Sequence, residues 1–116
     1  MAANEKPSPP QLPESPVLRD YQTYIHGLES YHGWLDVDLV HNCFLMGEEV
    51  GELFKAIRGY NQYYDKPKST DPKGDVAEEI VDVFNYLLAI ANRLDIDLEV
   101  AFREKNARNI ERSWDA

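Results

Sequence analysis

Apolar residues recur every three or four positions along most of the chain, a period typical of amphipathic helices. A first stripe occupies residues 21–31 and ends before Gly33. A second occupies residues 43–57 and a third residues 76–94, both in unbroken steps of three and four. Each stripe predicts a helix that buries one face. No segment alternates apolar and polar residues as a half-buried strand would.

The residues between the stripes predict where the helices begin and end. Gly59 is placed to end the second helix. Residues 60–74 contain two prolines and little that is apolar, which predicts a loop. Asp97 can cap a fourth helix that begins at Leu98. The fold class we expect is therefore all-α, a four-helix bundle in which the two middle helices form the centre.

The N-terminal segment differs in composition from the rest of the chain. Five of the seven prolines lie in the first 16 residues, with almost nothing apolar between them. Such a segment has no face to bury, so residues 1–16 are predicted to be a disordered, Pro-rich tail. Residues 17–116 then form the only domain, since 116 residues leave no room for a second core.

Net charge, hydropathy and cysteine content argue against several classes of partner and cross-link. The formal net charge of −9 argues against nucleic acid as a partner, because a surface that neutralises phosphates needs excess Lys and Arg. No apolar run is long enough to span a bilayer, and the N-terminus lacks the apolar stretch of a signal peptide, so no membrane partner is expected. The lone Cys43 excludes an internal disulfide and fits a cytoplasmic location.

Two carboxylate pairs lie beside the long stripes. Glu49 and Glu52 are three residues apart on the second predicted helix, as are Glu79 and Asp82 on the third. At about 100° per residue, both pairs have the same phase relative to their stripe, so helices that pack through the stripes direct both pairs into one crevice. Like charges 4 Å apart repel by about 4 kcal/mol at an effective dielectric of 20, which favours a bound cation.

The chemistry of this acidic constellation favours magnesium. Mg²⁺ binds carboxylate and water oxygens in octahedral geometry. No histidine follows one of these glutamates by three residues, as it does in di-iron bundles, so Mg²⁺ or Mn²⁺ is preferred over redox iron. The competing interpretation is a solvated acidic helix face, which is common for a single pair but less so for two pairs in one phase.

The pattern Glu48-Glu49-x-x-Glu52, followed about 30 residues later by Glu79-x-x-Asp82, resembles the MazG-type nucleoside triphosphate pyrophosphohydrolases. The resemblance continues through residues 96–99 and into Lys105-Asn106-x-Arg108-Asn109, and it covers roughly residues 38–112. It implies an all-α fold, an obligate homodimer or homotetramer, and Mg²⁺. It also implies cleavage of a nucleoside triphosphate between the α and β phosphates.

The resemblance also implies roles for individual residues. Four carboxylates would be the metal ligands: Glu49, Glu52, Glu79 and Asp82. Apart from the resemblance, the mechanism that we expect has Glu48 or Glu49 orient or deprotonate the attacking water.

Basic and aromatic residues supply candidates for substrate binding. The last predicted helix carries Lys105, Asn106, Arg108 and Asn109, which suit phosphate oxygens. Cations are also favoured at helix C-termini by the macrodipole, and the resemblance decides for phosphate contact. Trp34 could stack on a base, although such residues more often pack in cores or interfaces. The loop lysines Lys66, Lys68 and Lys73 could close over a triphosphate, but a solvated loop is favoured.

The functional prediction is a Mg²⁺-dependent nucleoside triphosphate pyrophosphohydrolase that acts in nucleotide-pool house-cleaning. Two alternatives stay open at this point. One is an enzyme like the phosphoribosyl-ATP pyrophosphohydrolases, which have a similar acidic pattern. The other is a non-catalytic helical module whose acidic faces bind partners.

Overall fold

Four α-helices make up the chain in the computed structural model, which describes residues 7–63 and 66–112. They are α1 (Leu18–His32), α2 (Leu39–Asn61), α3 (Pro72–Arg93) and α4 (Leu98–Glu111). Within the described ranges there is no β-strand. The all-α class and the four predicted helices, three from the apolar period and one from the Asp97 cap, are therefore confirmed.

Aspartates begin three of the four helices. The side chains of Asp38, Asp71 and Asp97 each accept a hydrogen bond from the backbone N–H three residues further on, at 2.7, 3.1 and 3.1 Å. Each satisfies a backbone donor that has no partner inside the helix. The prediction that Asp97 caps the fourth helix is thus confirmed.

The predicted end of α2 is wrong. The helix continues through Gly59 to Asn61 and ends at Gln62, which adopts a left-handed conformation with φ 57°. Gly59 is buried because the connection to α3 lies directly against it: an added Cβ would stand 3.1 Å from the Pro67 Cα. The glycine therefore permits a close approach of two backbones. The predicted loop over 60–74 was also too long, since α3 begins at Pro72.

Helix packing places α3 at the centre. It packs against α2 along its length and against α1, and α4 contacts α1. The core cluster joins Ile25 of α1 to Leu88 and Ala89 of α3. Tyrosine, leucine and phenylalanine side chains surround that cluster and are only partly buried. The core of a single chain is therefore small, as expected for a domain of this size.

Large apolar side chains remain exposed on the outer faces of the helices. Phe44 and Phe54 on α2 and Phe102 on α4 are 73%, 61% and 65% exposed. On α3, two members of the predicted stripe, Ile80 and Leu87, are exposed as well. A single chain thus buries only part of its apolar stripes, and exposed apolar surface of this kind marks interaction faces. No helix in the described part of the chain has the length and apolar content that crossing a membrane requires.

The Pro-rich segment has no regular secondary structure where the structure describes it, over residues 7–16. It is not without contacts: Pro10 lies against α1, and a Cβ added at Gly27 would stand 2.9 Å from its Cβ. The start of α1 at Leu18 agrees with a domain that begins near residue 17. The predicted disorder of 1–16 stays a prediction, and residues 1–6 and 113–116 lie outside the described ranges.

Candidate active site

Packing of α2 on α3 brings three carboxylates together. Glu49 from α2 and Glu79 and Asp82 from α3 each offer an oxygen, and these oxygens all lie within 4.8 Å of one another. We call this group the acidic cluster. It contains three of the four predicted metal ligands. The fourth, Glu52, is exposed and stands outside the group.

Glu79 is the most unusual member of the acidic cluster. Its residue exposure is only 6%, and its Oε2 has no hydrogen-bond partner among the described residues. Its Oε1 lies 3.8 Å from the Nζ of Lys68. A buried carboxylate oxygen without a partner costs considerable free energy. Such an atom in a cluster of acids indicates that a ligand completes the site.

The electrostatics of the acidic cluster also indicate that a positively charged ligand completes the site. The pKa of Glu49 is raised by burial, then by its hydrogen bond with Glu79 and by the charges of Asp82, Glu79 and Glu52. The pKa of Tyr86 is also raised, by burial and then by Glu49, Asp82 and Glu48. Negative charge is thus in excess around the cluster. Glu48 contributes to this field although it is exposed and lies outside the cluster.

The donor set fits a hard divalent cation. All three members are carboxylates, and no histidine or cysteine belongs to the group. Oxygen donors suit Mg²⁺ and Mn²⁺, whereas zinc and redox-active iron favour sites with nitrogen or sulfur. A cation would also supply the partner that Glu79 Oε2 lacks. The residues present therefore fit the metal that the sequence predicts.

A cavity of about 400 Å³ extends from the acidic cluster. Glu49 and Asp82 line one part of it, and Trp34 and Asn42 also line it. Its walls are mostly apolar and include Ile25, Leu28, Val37, Leu45 and Ala89. Small-molecule sites are typically apolar clefts of this size with a few polar groups. The predicted role of Trp34 is compatible with its place here, where its ring stacks on His32 at 4.2 Å.

Asn42 is a cavity residue that the sequence analysis missed. It is 3% exposed, and its Nδ2 donates to the backbone oxygens of Val37 and Asp38, at 3.1 and 2.8 Å. These two bonds leave Oδ1 as an acceptor. Asn85 and Tyr86 also line the cavity and were missed. Their spacing was a usable signal, since Asn85 follows Asp82 by three residues on the same helix.

A buried ion pair joins Arg93 to Glu29, and Glu29 lines the cavity. Arg93 donates to both carboxylate oxygens of Glu29, at 3.1 and 2.5 Å. It also donates to the backbone oxygens of Val37 at 2.7 Å and Trp34 at 3.2 Å. Arg93 thereby fixes the segment that carries Trp34. No sequence signal could have found this pair, because its partners lie 64 residues apart.

The predicted phosphate-binding residues of α4 are not brought to the cluster within one chain. Lys105 and Arg108 are exposed, whereas Asn106 and Asn109 are half-buried and share a 3.2 Å hydrogen bond. None of the four lines the cavity. The reason is that α4 packs on α1 rather than against the α2–α3 pair. Their phosphate contact stays a prediction.

These features define a class of all-α protein with a carboxylate cluster beside an apolar cavity. Residues 42–115 match the family model of the MazG nucleotide pyrophosphohydrolase domain, and the chain belongs to that family. The predicted resemblance is confirmed. The chain is also 44% identical over 55 residues to "Uncharacterized protein YpjD" of Bacillus subtilis (strain 168). That match covers 47% of this chain and 48% of the relative's own length.

Proposed function

We propose that the protein is a Mg²⁺-dependent pyrophosphohydrolase of nucleoside triphosphates, with Mn²⁺ as a substitute. It converts (d)NTP to (d)NMP and pyrophosphate and serves nucleotide-pool house-cleaning in the cytoplasm. The observation that carries the proposal is the buried, unpartnered Glu79 Oε2 inside the acidic cluster, two of whose members line a cavity of about 400 Å³. Membership of the MazG family supports the reaction class.

Each part of the site has a proposed role. Glu49, Glu79 and Asp82 hold the cation, with Glu52 as the fourth ligand. When bound, the cation supplies positive charge that neutralises the triphosphate and the charge that develops in the transition state. The apolar cavity walls and Trp34 bind the nucleoside and exclude water from it.

Water activation falls to Glu48 or Glu49. A carboxylate accepts a proton from the attacking water, which approaches phosphorus in line while the bond to the pyrophosphate leaving group breaks. Glu48 is exposed and adjacent to Glu49, so its carboxylate is accessible to water.

The active species is proposed to be a homodimer or a homotetramer. The exposed Phe44, Phe54 and Phe102 supply apolar faces that a second copy would cover. A neighbouring copy would also bring an α4 helix, with Lys105, Asn106, Arg108 and Asn109, to the phosphates. Light scattering at micromolar concentration tests this, and a monomer would contradict it. With its net charge of −9, the chain is not expected to bind nucleic acid.

A pyrophosphate-release screen tests the function. The panel contains the NTPs, the dNTPs and phosphoribosyl-ATP, each with Mg²⁺ and with EDTA, and Asp82→Asn serves as the inactive control. We expect Mg²⁺-dependent release from at least one nucleoside triphosphate. Release from phosphoribosyl-ATP alone would reassign the substrate. No release from any member, together with no effect of Mg²⁺ on thermal stability, would favour a non-catalytic module and refute the proposal.

A further inference from the structure

We propose that Lys68 is an internal counter-ion of the acidic cluster. When a divalent cation occupies the carboxylates, the Lys68 ammonium group moves from Glu79 to the pyrophosphate leaving group. The inference rests on the proposed function and deepens it, because it names a residue for the β and γ phosphates. The observations that carry it are the placement of Lys68 between two fixed points of the backbone and its contact with Glu79.

The backbone on both sides of Lys68 is held in place. On one side, Pro67 lies against the buried Gly59, so close that a Cβ there would stand 3.1 Å from the Pro67 Cα. On the other side, Ser69 donates from its N and its Oγ to the carboxylate of Asp75, at 3.0 and 2.6 Å. Asp75 is itself 7% exposed. Lys68 therefore lies between two anchored residues, and its side chain is 67% exposed.

One face of α3 connects this anchor to the cluster. Asp75, Glu79 and Asp82 follow one another at steps of four and three residues, which places them on the same side of the helix. The first fixes the connection from α2, and the other two belong to the acidic cluster. Fixing residue 69 on Asp75 therefore positions the neighbouring lysine one helical turn away, over Glu79.

The contact between Lys68 and Glu79 is an ion pair without a hydrogen bond. The Nζ lies 3.8 Å from Oε1, beyond the 3.2 Å limit of an N–H···O bond. The Lys68 side chain is 67% exposed, whereas that of Glu79 is 8% exposed. The ammonium group thus offsets negative charge but leaves Glu79 Oε2 without a partner. A loosely held cation of this kind is readily displaced by one that binds the oxygens directly.

The position of the cavity determines what the released ammonium would meet. Glu49 and Asp82 line the cavity, whereas Glu79 and Lys68 do not. A nucleoside in the cavity therefore has its phosphates at the cluster, and the terminal phosphates extend past it toward Lys68. Carboxylates repel phosphate oxygens, and an ammonium group forms short, charge-assisted hydrogen bonds with them. Lys68 is the one cation in ion-pair contact with the cluster among the described residues.

Two binding measurements on the full chain test the proposal, with Lys68→Gln and the matched control Lys73→Gln. Lys73 carries the same charge, is exposed and forms no ion pair within the described ranges. In calorimetric titration of the metal-free protein with Mn²⁺, we expect K68Q to bind about 1.5- to 5-fold more tightly than wild type, the range of an exposed ion pair. K73Q should bind like wild type.

The second titration uses the preformed Mg²⁺–pyrophosphate complex on Mg²⁺-saturated protein. Here K68Q should bind about 10- to 100-fold more weakly, as expected for a lost hydrogen bond to a charged group. Lys68→Arg should keep most of the affinity. A residue that only supports the fold would not improve one affinity and weaken the other.

Each result decides the proposal. Mn²⁺ affinity of K68Q equal to that of wild type refutes the counter-ion role, and unchanged pyrophosphate affinity refutes the transfer to the leaving group. Both readouts are independent of turnover. Failure of wild-type protein to hydrolyse any nucleotide would refute the proposed function, and it is distinguishable from either result.

Discussion

Glu29 and Glu79 are buried to nearly the same extent but in opposite surroundings. Glu29 is 7% exposed, and the Arg93 fork occupies both of its oxygens. Glu79 is 6% exposed, has other carboxylates as neighbours, and leaves Oε2 without a partner. Burial alone does not distinguish the two. Charge compensation does: the first glutamate is satisfied by the fold, and the second requires a ligand.

This contrast separates structural from functional acids. Removing a carboxylate from water costs several kcal/mol unless a matched cation and hydrogen bonds compensate. At Glu29 the compensation is internal, and the pair also holds the backbone beside Trp34. At Glu79 the neighbours are other carboxylates and one ammonium group at 3.8 Å, and Oε2 is left without a partner. We therefore expect substitutions at these two sites to affect different properties, stability at the Glu29–Arg93 pair and activity at Glu79.

The largest expected effect is the loss of activity when Glu79, the glutamate with an unpartnered oxygen, is replaced. Glu79→Gln keeps the shape of the side chain but removes its charge, so pyrophosphate release should fall by a factor on the order of 10² to 10³. The neighbouring Glu78→Gln is the matched control, because Glu78 is exposed and lies outside the cluster. It should stay within about threefold of wild type, the range of surface charge effects. A fully active E79Q would contradict the contrast.

Stability should change most when the Glu29–Arg93 ion pair is broken. Arg93→Met leaves Glu29 buried without its cation, so the free energy of unfolding in urea should fall by about 3–5 kcal/mol. The double variant Glu29→Gln/Arg93→Met should recover much of this loss, because no uncompensated charge then remains. If R93M is as stable as wild type, the pair is not what satisfies Glu29.

Metal binding should stabilise the wild-type fold by a somewhat smaller amount. At Mg²⁺ concentrations near one hundred times the dissociation constant, linkage predicts a gain of about 2.7 kcal/mol. Thermal melts with Mg²⁺ and with EDTA measure it. Asp82→Asn should show much less of the gain, whereas R93M should keep it. An equal response of D82N and wild type would place the metal elsewhere.

The smallest effect concerns pH. The folded-state pKa of Glu49 is raised by burial and by neighbouring carboxylates. Folding therefore favours the protonated form, and stability from this group is complete below its unfolded pKa and lost as the pH rises through the folded pKa. In EDTA near pH 7.5, Glu49→Gln should raise Tm by about 1–4 °C, and the gain should vanish at low pH. A lower Tm for E49Q than for wild type at pH 7.5 would show that repulsion between Glu49 and the neighbouring carboxylates does not destabilise the metal-free fold.

Much of the fold could be predicted because helices depend on local sequence. The apolar period located the first three helices, and Asp97 marked the start of the fourth. The prediction failed at Gly59, where local reasoning expected a helix end. Gly59 instead lies inside the helix, where it allows the backbone at Pro67 in the connection to α3 to approach closely. The path of that connection depends on how it folds back onto the helix, and the helical period does not describe it.

The candidate site was predictable in part for the same reason. Helical spacing identified Glu49, Glu79 and Asp82, and their common phase indicated one crevice. Spacing did not separate Glu52, which is exposed, from these three. Helical spacing also did not predict the cavity beside the acidic cluster, because residues of α1, α2 and α3 together form the walls of that cavity.

By itself, the sequence determined the helices, the acidic residues that could share a crevice, and the family. Only the tertiary structure decided which carboxylates receive a partner. It paired Glu29 with Arg93 and left Glu79 with a lysine at 3.8 Å. Helix formation depends on neighbours three or four residues away, whereas the free energy of a buried charge depends on whichever groups packing brings beside it.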